Sequence, residues 1–242
     1  MKSLKLSLIF ILALILTSAN AKYNQFISAY RSIQKIQNNI VYFKNGSVLP
    51  FDDNVSKTFA QKLKNPSIKD MLWQKYPSRQ DIVAPTHNFD PGRFRNMAFF
   101  KILYGRNEKE VKSNLIKVIW LPKKEHKILY FNKKELAATE GQLISNELDN
   151  LPKSYDKYIT NIAGTFRYRY IAGTKRLSAH SFGIAIDLNT KFANYWRWDK
   201  SQVFKNQIPK KIINIFEKHG FIWGGRWFHY DTMHFEYRPE LR

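Results

Sequence analysis

The 242-residue sequence contains no cysteine. Disulfide bonds and thiolate metal ligands are therefore excluded, and any metal ion must be held by histidine or carboxylate side chains. Without cross-links the chain must rely on its apolar core, and its length is sufficient for one or two compact units. Aromatic residues make up 15% of the sequence and supply large apolar surfaces for such a core.

Long apolar runs are also missing, apart from one near the first residue. Met1–Ala21 contains Lys2 and Lys5, then the apolar run LSLIFILALIL, and ends on the small-residue triplet ANA. This order is typical of a secretory signal peptide with cleavage after Ala21. The alternative is a membrane anchor, for which the run is short. We expect an exported protein with no transmembrane segment in the mature chain.

Acidic residues are scarce, since 19 Asp and Glu stand against 40 Lys and Arg and give a formal net charge of +21. Such a charge attracts polyanions, and nucleic acid is the first candidate. The lysines, however, are scattered singly and in pairs, without an arginine-rich arm or a nucleic-acid-binding motif. We therefore expect no nucleic-acid partner. Outside the cytoplasm, the nearer polyanions are carboxylate-rich cell-wall peptides and anionic lipid surfaces.

The first half of the chain reads as mainly helical. Apolar spacing predicts a helix over residues 23–40, followed by a hairpin around Asn45-Gly46. Asp90-Pro91-Gly92 predicts the start of another helix, with Asp90 as N-cap, which ends near Gly105. Residues 22–111 match no module that the sequence identifies, and we treat them as an N-terminal region of unknown role.

The pattern changes near residue 112. VIWLPK and KILYFNK predict a hairpin, TFRYRYI predicts a strand, and ELAATEGQLISNELDNL and KKIINIFEKHG predict helices. Strands and helices are mixed without a βαβ rhythm, which predicts an α+β fold with a small antiparallel sheet. We place a second domain at residues 112–242.

The segment LSAHSFGIAIDLN places a histidine, His180, and an aspartate, Asp187, in an otherwise apolar stretch. Burying either group without a partner is costly, so both are expected to have one. A regular strand would point the two side chains to opposite faces. Gly183 between them permits a bend or bulge that brings them to the same site.

A second polar group lies in HYDTMHFE, which contains His229, Asp231, His234 and Glu236. A tight turn at DTM would bring Asp231 close to His234 before HFEY continues as a strand. Together with the first segment, this gives two imidazoles, one carboxylate ligand and a spare carboxylate. A metal hydrolase needs three protein ligands and a general base of this kind.

At this point the sequence resembles a known family. S-x-H-x-x-G-x-A-x-D, present as SAHSFGIAID, followed by D-x-x-H, present as DTMHFE, is similar to the D-alanyl-D-alanine carboxypeptidase family of zinc metallopeptidases. This family includes D-alanyl-D-alanine carboxypeptidases and L-alanyl-D-glutamate endopeptidases, which cut peptidoglycan peptides. The resemblance covers roughly residues 112–242, and an Asp at the base position is more similar to the endopeptidase branch.

The resemblance implies Zn2+ bound by His180, Asp187 and His234, with Asp231 as the general base. It also implies a small α+β fold whose central antiparallel sheet carries the ligands. The family uses an upstream arginine to stabilise the oxyanion of the transition state. Here TFRYRYI offers Arg167 and Arg169, of which we prefer Arg169 because it lies nearer the following turn.

Two nearby residues keep alternative roles. His229 either contacts the substrate or a metal-binding side chain, or it is an ordinary surface histidine. Glu236 shares a strand face with His234, so it either orients that imidazole or forms a surface salt bridge. Asp231 itself has an alternative role, because an Asp at this position can cap a turn.

We therefore expect an exported, monomeric zinc peptidase of the periplasm or cell wall, acting on peptidoglycan stem peptides as a carboxypeptidase or an endopeptidase. The alternative is a non-catalytic cell-wall-binding module that retains the fold and the zinc. The two activities share one metal centre, so the sequence leaves the cleaved bond open.

Overall fold

The structure, a computed structural model, describes residues 23–199 and 203–242. The chain divides into two compact units, of which the first ends at Phe51 and the second runs from Asp52 to Arg242. The domain boundary predicted near residue 111 thus falls inside the second unit. The predicted signal peptide, Met1–Ala21, lies outside the described residues.

The first unit contains a helix and a three-stranded antiparallel sheet. Residues 23–29 are helical (α1), and the strands are β1 (Ile33–Gln37), β2 (Ile40–Phe43) and β3 (Val48–Pro50), in the order β1-β2-β3. The helix predicted over 23–40 is wrong beyond residue 29. Asn38 and Asn39 adopt left-handed backbone conformations, with φ of 50° and 63°, and form a two-residue hairpin turn. The hairpin predicted around Asn45-Gly46 is confirmed.

The second unit mixes helices with two antiparallel sheets, which confirms the α+β class. Its elements are α2 (Phe59–Lys64), α3 (Met97–Tyr104), α4 (Glu108–Ser113), β4 (Leu115–Trp120), β5 (Lys127–Asn132), α5 (Ala137–Asp149), α6 (Asp156–Ile159), β6 (Ala185–Asp187), α7 (Lys210–Lys218), β7 (Phe221–Trp223) and β8 (His234–Tyr237). The hairpin predicted after residue 112 is confirmed as β4 and β5, and the two helices predicted there as α5 and α7.

Two predicted elements of the second unit also differ from the structure. The helix expected to start at Asp90 starts at Met97, because the side chain of Asn96 accepts a hydrogen bond from the amide of Phe99 and caps it. The strand expected over TFRYRYI is irregular and contributes one isolated bridge, Tyr170 to Leu177.

The central sheet has the strand order β6-β8-β7, with β8 in the middle. Helix α7 packs on it, and the Phe216 ring lies on that of Phe235 at a centroid distance of 3.9 Å. Apolar spacing in KKIINIFEK places Ile212, Ile213 and Phe216 on the buried face of α7. This packing holds β8 in place, and β8 carries His234 of the candidate site.

A segment before α3 is bound tightly to the same sheet. The hydroxyl of Tyr76 donates to the buried carboxylate of Glu217 on α7 at 2.6 Å and accepts from the amide of Trp223 on β7 at 2.7 Å. The guanidinium of Arg226 also contacts Glu217, at 3.2 Å. The chain before residue 112 therefore contributes to the second unit's core.

None of the helices within the described residues is both long and apolar enough to cross a membrane.

Candidate metal centre

His180 is positioned by a tight helical turn ahead of β6. Ser178 caps a short 3-10 helix, Ala179–Phe182, and Gly183 ends it with φ of 67°. A Cβ atom at Gly183 would stand 2.5 Å from Cδ2 of Leu115, so the position requires glycine. The expected bend at Gly183 is confirmed, although His180 lies in the helical turn and not on the strand.

Asp187 and His234 face each other across the sheet. The register of β6 and β8 pairs the two residues directly, and Oδ1 of Asp187 lies 2.9 Å from Nδ1 of His234. Nε2 of His180 lies 3.2 Å from each of these two atoms. Two segments about 50 residues apart thus place three donor atoms close enough together to bind a single metal ion.

The three donor atoms fit a zinc ion. Around a tetrahedral ion with bonds of about 2.0–2.1 Å, neighbouring ligand atoms are about 3.3 Å apart. The observed separations of 2.9, 3.2 and 3.2 Å are close to that value. Two imidazoles and one carboxylate, with a position left open, also form a donor set typical of catalytic zinc sites.

Each imidazole is held with the correct nitrogen facing the centre. Nδ1 of His180 donates to the carbonyl oxygen of Thr165 at 2.5 Å, which leaves Nε2 free to act as a ligand. Nε2 of His234 donates to Oε2 of Glu236 at 3.0 Å, which leaves Nδ1 free in the same way. Between the two roles considered for Glu236, the structure therefore supports the orienting one.

Glu236 is fully buried and is held by two arginines. Arg95 forms a bidentate pair with it through Nε, at 2.9 Å, and Nη2, while Nη1 of Arg238 lies at 3.1 Å. Burial raises the pKa of Glu236, but Arg95, His234 and Arg238 outweigh that effect and hold the pKa well below its usual value. The carboxylate stays ionised and keeps its imidazole partner in place.

The centre strongly favours a positive charge. Burial lowers the pKa of His234, yet its hydrogen bonds to Asp187 and Glu236 raise the pKa to about 10. Burial alone would raise the pKa of Asp187, but the two histidines lower it far below its usual value. Either a proton or a metal ion satisfies this requirement.

Asp231 lies beside the donor atoms in a cavity of about 110 Å³. Its Oδ1 atom is buried and has no hydrogen-bond partner among the residues that the structure describes. Burial and the charge of Asp187 raise the pKa of Asp231 to about 7. A general base is most effective when its pKa lies near the working pH, so the environment suits this role.

Of the two arginines considered for the oxyanion, Arg169 lines this cavity and Arg167 is not among the lining residues. The side chain of Arg169 is exposed, while its backbone is fixed by the hydroxyl of Ser181, which accepts from the amide at 2.9 Å. The preference for Arg169 is compatible with this placement, and its role stays a prediction.

A second set of residues at the site, all from the region before residue 112, was not predicted from the sequence. Asp90 is fully buried and accepts from Nδ1 of His229, at 2.6 Å, and from Arg93, at 2.7 Å. It is therefore not the helix cap that was predicted. Arg95 and Arg93 both line the metal cavity. The stretch DPGRFR mixes charges with an aromatic residue, but no local pattern identifies partners about 140 residues away.

Comparison with known proteins agrees with the motif. Residues 172–237 match the family model described as D-alanyl-D-alanine carboxypeptidase. The matched segment contains the three candidate ligands and Asp231, whereas Arg169 and the arginines near residue 93 precede it. No curated protein and no solved structure was found to match the chain. The resemblance predicted from the sequence is therefore confirmed over residues 172–237, the segment that is similar to the D-alanyl-D-alanine carboxypeptidase family.

Proposed function

We propose that the protein is an exported zinc peptidase that hydrolyses the stem peptides of peptidoglycan in the periplasm or cell wall. The observation that carries the proposal is the triangle of donor atoms from His180, Asp187 and His234 with the unpaired carboxylate of Asp231 beside it. A metal-binding module needs the triangle, but it has no use for a buried free carboxylate. This favours hydrolysis over the alternative of a non-catalytic wall-binding module.

In this proposal, zinc held by the triangle supplies Lewis acidity for the scissile carbonyl and for the attacking water. Asp231 takes the proton of that water and passes it to the leaving amine. Arg169, at the edge of the cavity, binds the oxyanion as negative charge develops on the carbonyl oxygen. Glu236 and Thr165 hold the two imidazoles throughout, so the donor atoms need no rearrangement during the reaction.

The charge of the chain supports an anionic substrate. The net charge of +21 attracts carboxylate-rich wall peptides over distances up to about 8–10 Å at physiological salt. Stem peptides carry free carboxylates on an uncrosslinked end and along the chain. We propose these peptides as the partner, with the enzyme acting as a monomer and without nucleic acid.

The test is a digest of purified peptidoglycan by the mature protein, analysed by mass spectrometry. Loss of a single alanine identifies a carboxypeptidase, and release of larger peptides identifies an endopeptidase. Intact muropeptides after incubation with zinc-loaded protein would contradict the proposal. Asp231→Asn serves as the matched control, since it keeps the ligands and should release product at a rate reduced about a hundredfold or more.

A further inference from the structure

A second, larger cavity lies next to the metal cavity. It has a volume of about 1180 Å³ and is lined by α2, by Met97, by residues 173–176 and by His229. We call it the α2 groove. One wall, formed by residues 59–65 and Met97, comes from the chain before the segment that matches the family model, so the family match gives no role to it.

The groove and the metal cavity meet at His229, which lines both. The carboxylate of the buried Asp90 accepts hydrogen bonds from Nδ1 of His229, at 2.6 Å, and from the backbone amide of His229, at 3.0 Å. The ring of Phe59 on α2 stacks on His229 at a centroid distance of 6.4 Å and an angle of 22°. An extended ligand held at the metal cavity can therefore continue past a rigid side chain into the groove.

The groove combines an apolar floor with positive charge. Phe59, Leu63 and Met97 supply apolar surface, while Lys64, Lys175 and Arg176 supply cations. No acidic side chain is among the described residues that line it. Lys64 and Lys175 are exposed, whereas Arg176 is partly buried.

Arg176 is the most buried of the three cations. Within residues 23–199 and 203–242 it forms no ion pair with a carboxylate, and its Nη1 donates to the backbone oxygen of Arg93 at 3.4 Å. Burial and the positive charges of Arg95 and Arg93 lower its pKa to about 10, although the charge of Glu236 opposes them. An anion bound in the groove would relieve this repulsion.

We propose that the α2 groove is a remote subsite that binds the carboxylate-bearing part of the peptide substrate, away from the bond that is cut. Lys64, Lys175 and Arg176 contact the carboxylates, and the apolar floor contacts the aliphatic parts of the peptide. The volume is sufficient for several residues. This inference rests on the proposed function and assigns to residues 59–97 the task of selecting long, anionic peptides over short ones.

The test compares two substrates with the same scissile bond, a complete muropeptide and a truncated peptide that cannot reach the groove. The variant is the double charge reversal Lys64→Glu with Lys175→Glu, at two exposed positions. The matched control is Lys117→Glu with Lys211→Glu, which are also exposed and lie outside the groove. Both variants change the net charge equally, so their effects on long-range attraction cancel.

We expect the ratio of kcat/KM for the long over the short substrate to fall at least tenfold in the groove variant, mainly through KM, and to stay within twofold in the control. Ala60→Trp, which fills the groove without changing its charge, should lower the same ratio. Equal ratios in the groove variant and the control would overturn the proposal.

Binding measurements separate this inference from the proposed function. Asp231→Asn protein should bind an uncut muropeptide, with a Kd measured by calorimetry. If no peptide is hydrolysed by the unmodified enzyme, the proposed function fails. A Kd that rises tenfold with the groove reversal, but not with the control reversal, would still support the groove, whereas equal Kd values would overturn it.

Discussion

In the proposed mechanism, a single carboxylate, that of Asp231, separates hydrolysis from metal binding. Asp231→Asn keeps the size of the side chain but cannot accept a proton. We expect the variant to fold and to retain zinc, with turnover reduced about a hundredfold or more. Zinc content and hydrolysis of muropeptides, measured on the same preparation, check both parts. Near-normal turnover would move the base to another residue, and loss of zinc would make Asp231 a ligand.

The ligands themselves are tested by zinc content. The protein should bind about one zinc per chain, and His180→Ala or His234→Ala should lose most of it, because two donors hold zinc far more weakly than three. His126→Asn is the matched control, since His126 is exposed and Asn tolerates its left-handed backbone, with φ of 50°. Full zinc occupancy in both ligand variants would contradict the assignment.

Among the individual residues of the site, those that lie in short motifs were predictable from the sequence. His180, Asp187, Asp231 and His234 occur at recognisable spacing, and the structure brings them together. Arg95 was not predictable, because its partner Glu236 is 141 positions away and charge alone does not identify a buried pair. The same holds for the pairing of Asp90 with His229.

At the scale of the element, the turn before β6 depends on one glycine. Gly183→Ala should lower the free energy of unfolding by about 2–4 kcal/mol, because the left-handed backbone costs about 1 kcal/mol and the contact with Leu115 adds to it. The displaced turn should also weaken zinc binding through His180. Denaturant unfolding and zinc titration measure the two effects.

Gly46→Ala provides the comparison. Gly46 also has a positive φ, of 82°, but apart from its two chain neighbours no described residue has an atom within 4 Å of where its Cβ would stand. Gly46→Ala should therefore lower the free energy of unfolding by about 1 kcal/mol, through the backbone conformation alone. Equal losses in the two variants would mean that the contact with Leu115 relaxes without cost.

The elements that the sequence predicted are those with strong local signals. α5 and α7 follow apolar spacing, and the β4–β5 hairpin follows strand propensity. The predicted helix over 23–40 was wrong beyond residue 29 because Asn38-Asn39 favours a hairpin turn, and local turn chemistry outweighed an approximate helical spacing. TFRYRYI alternates like a strand, but its backbone bonds to Ser181 and His180 in place of a sheet neighbour.

At the scale of the whole molecule, acid stability should depend on Asp70. Lys62 and Lys57 donate to its carboxylate at 2.5 and 2.9 Å. Burial raises the pKa of Asp70, but these two hydrogen bonds, a third from the amide of Ser67 and the charge of Lys57 outweigh it and lower the pKa from 3.8 to about 2. The ionised carboxylate therefore stabilises the folded state by about 2 kcal/mol above about pH 4.

This contribution is lost as the pH falls from about 4 to about 2, because the unfolded state binds the proton first. Asp70→Asn removes the contribution at every pH. The difference in unfolding free energy between the two proteins should thus be largest above about pH 4 and shrink towards pH 2. Urea unfolding across this range measures it, and a difference independent of pH would exclude Asp70 as the cause.

The pairs that join distant parts of the second unit also constrain how the site forms. Arg95 with Glu236 and Tyr76 with Glu217 are each separated by 141 positions, and Asp90 with His229 by 139. Contacts of such high sequence separation carry a large loop-closure cost and form slowly. A partly folded chain can contain the two ligand segments and still lack the groups that orient them. Hydrolytic activity should therefore appear in the last phase of refolding, after most secondary structure has formed.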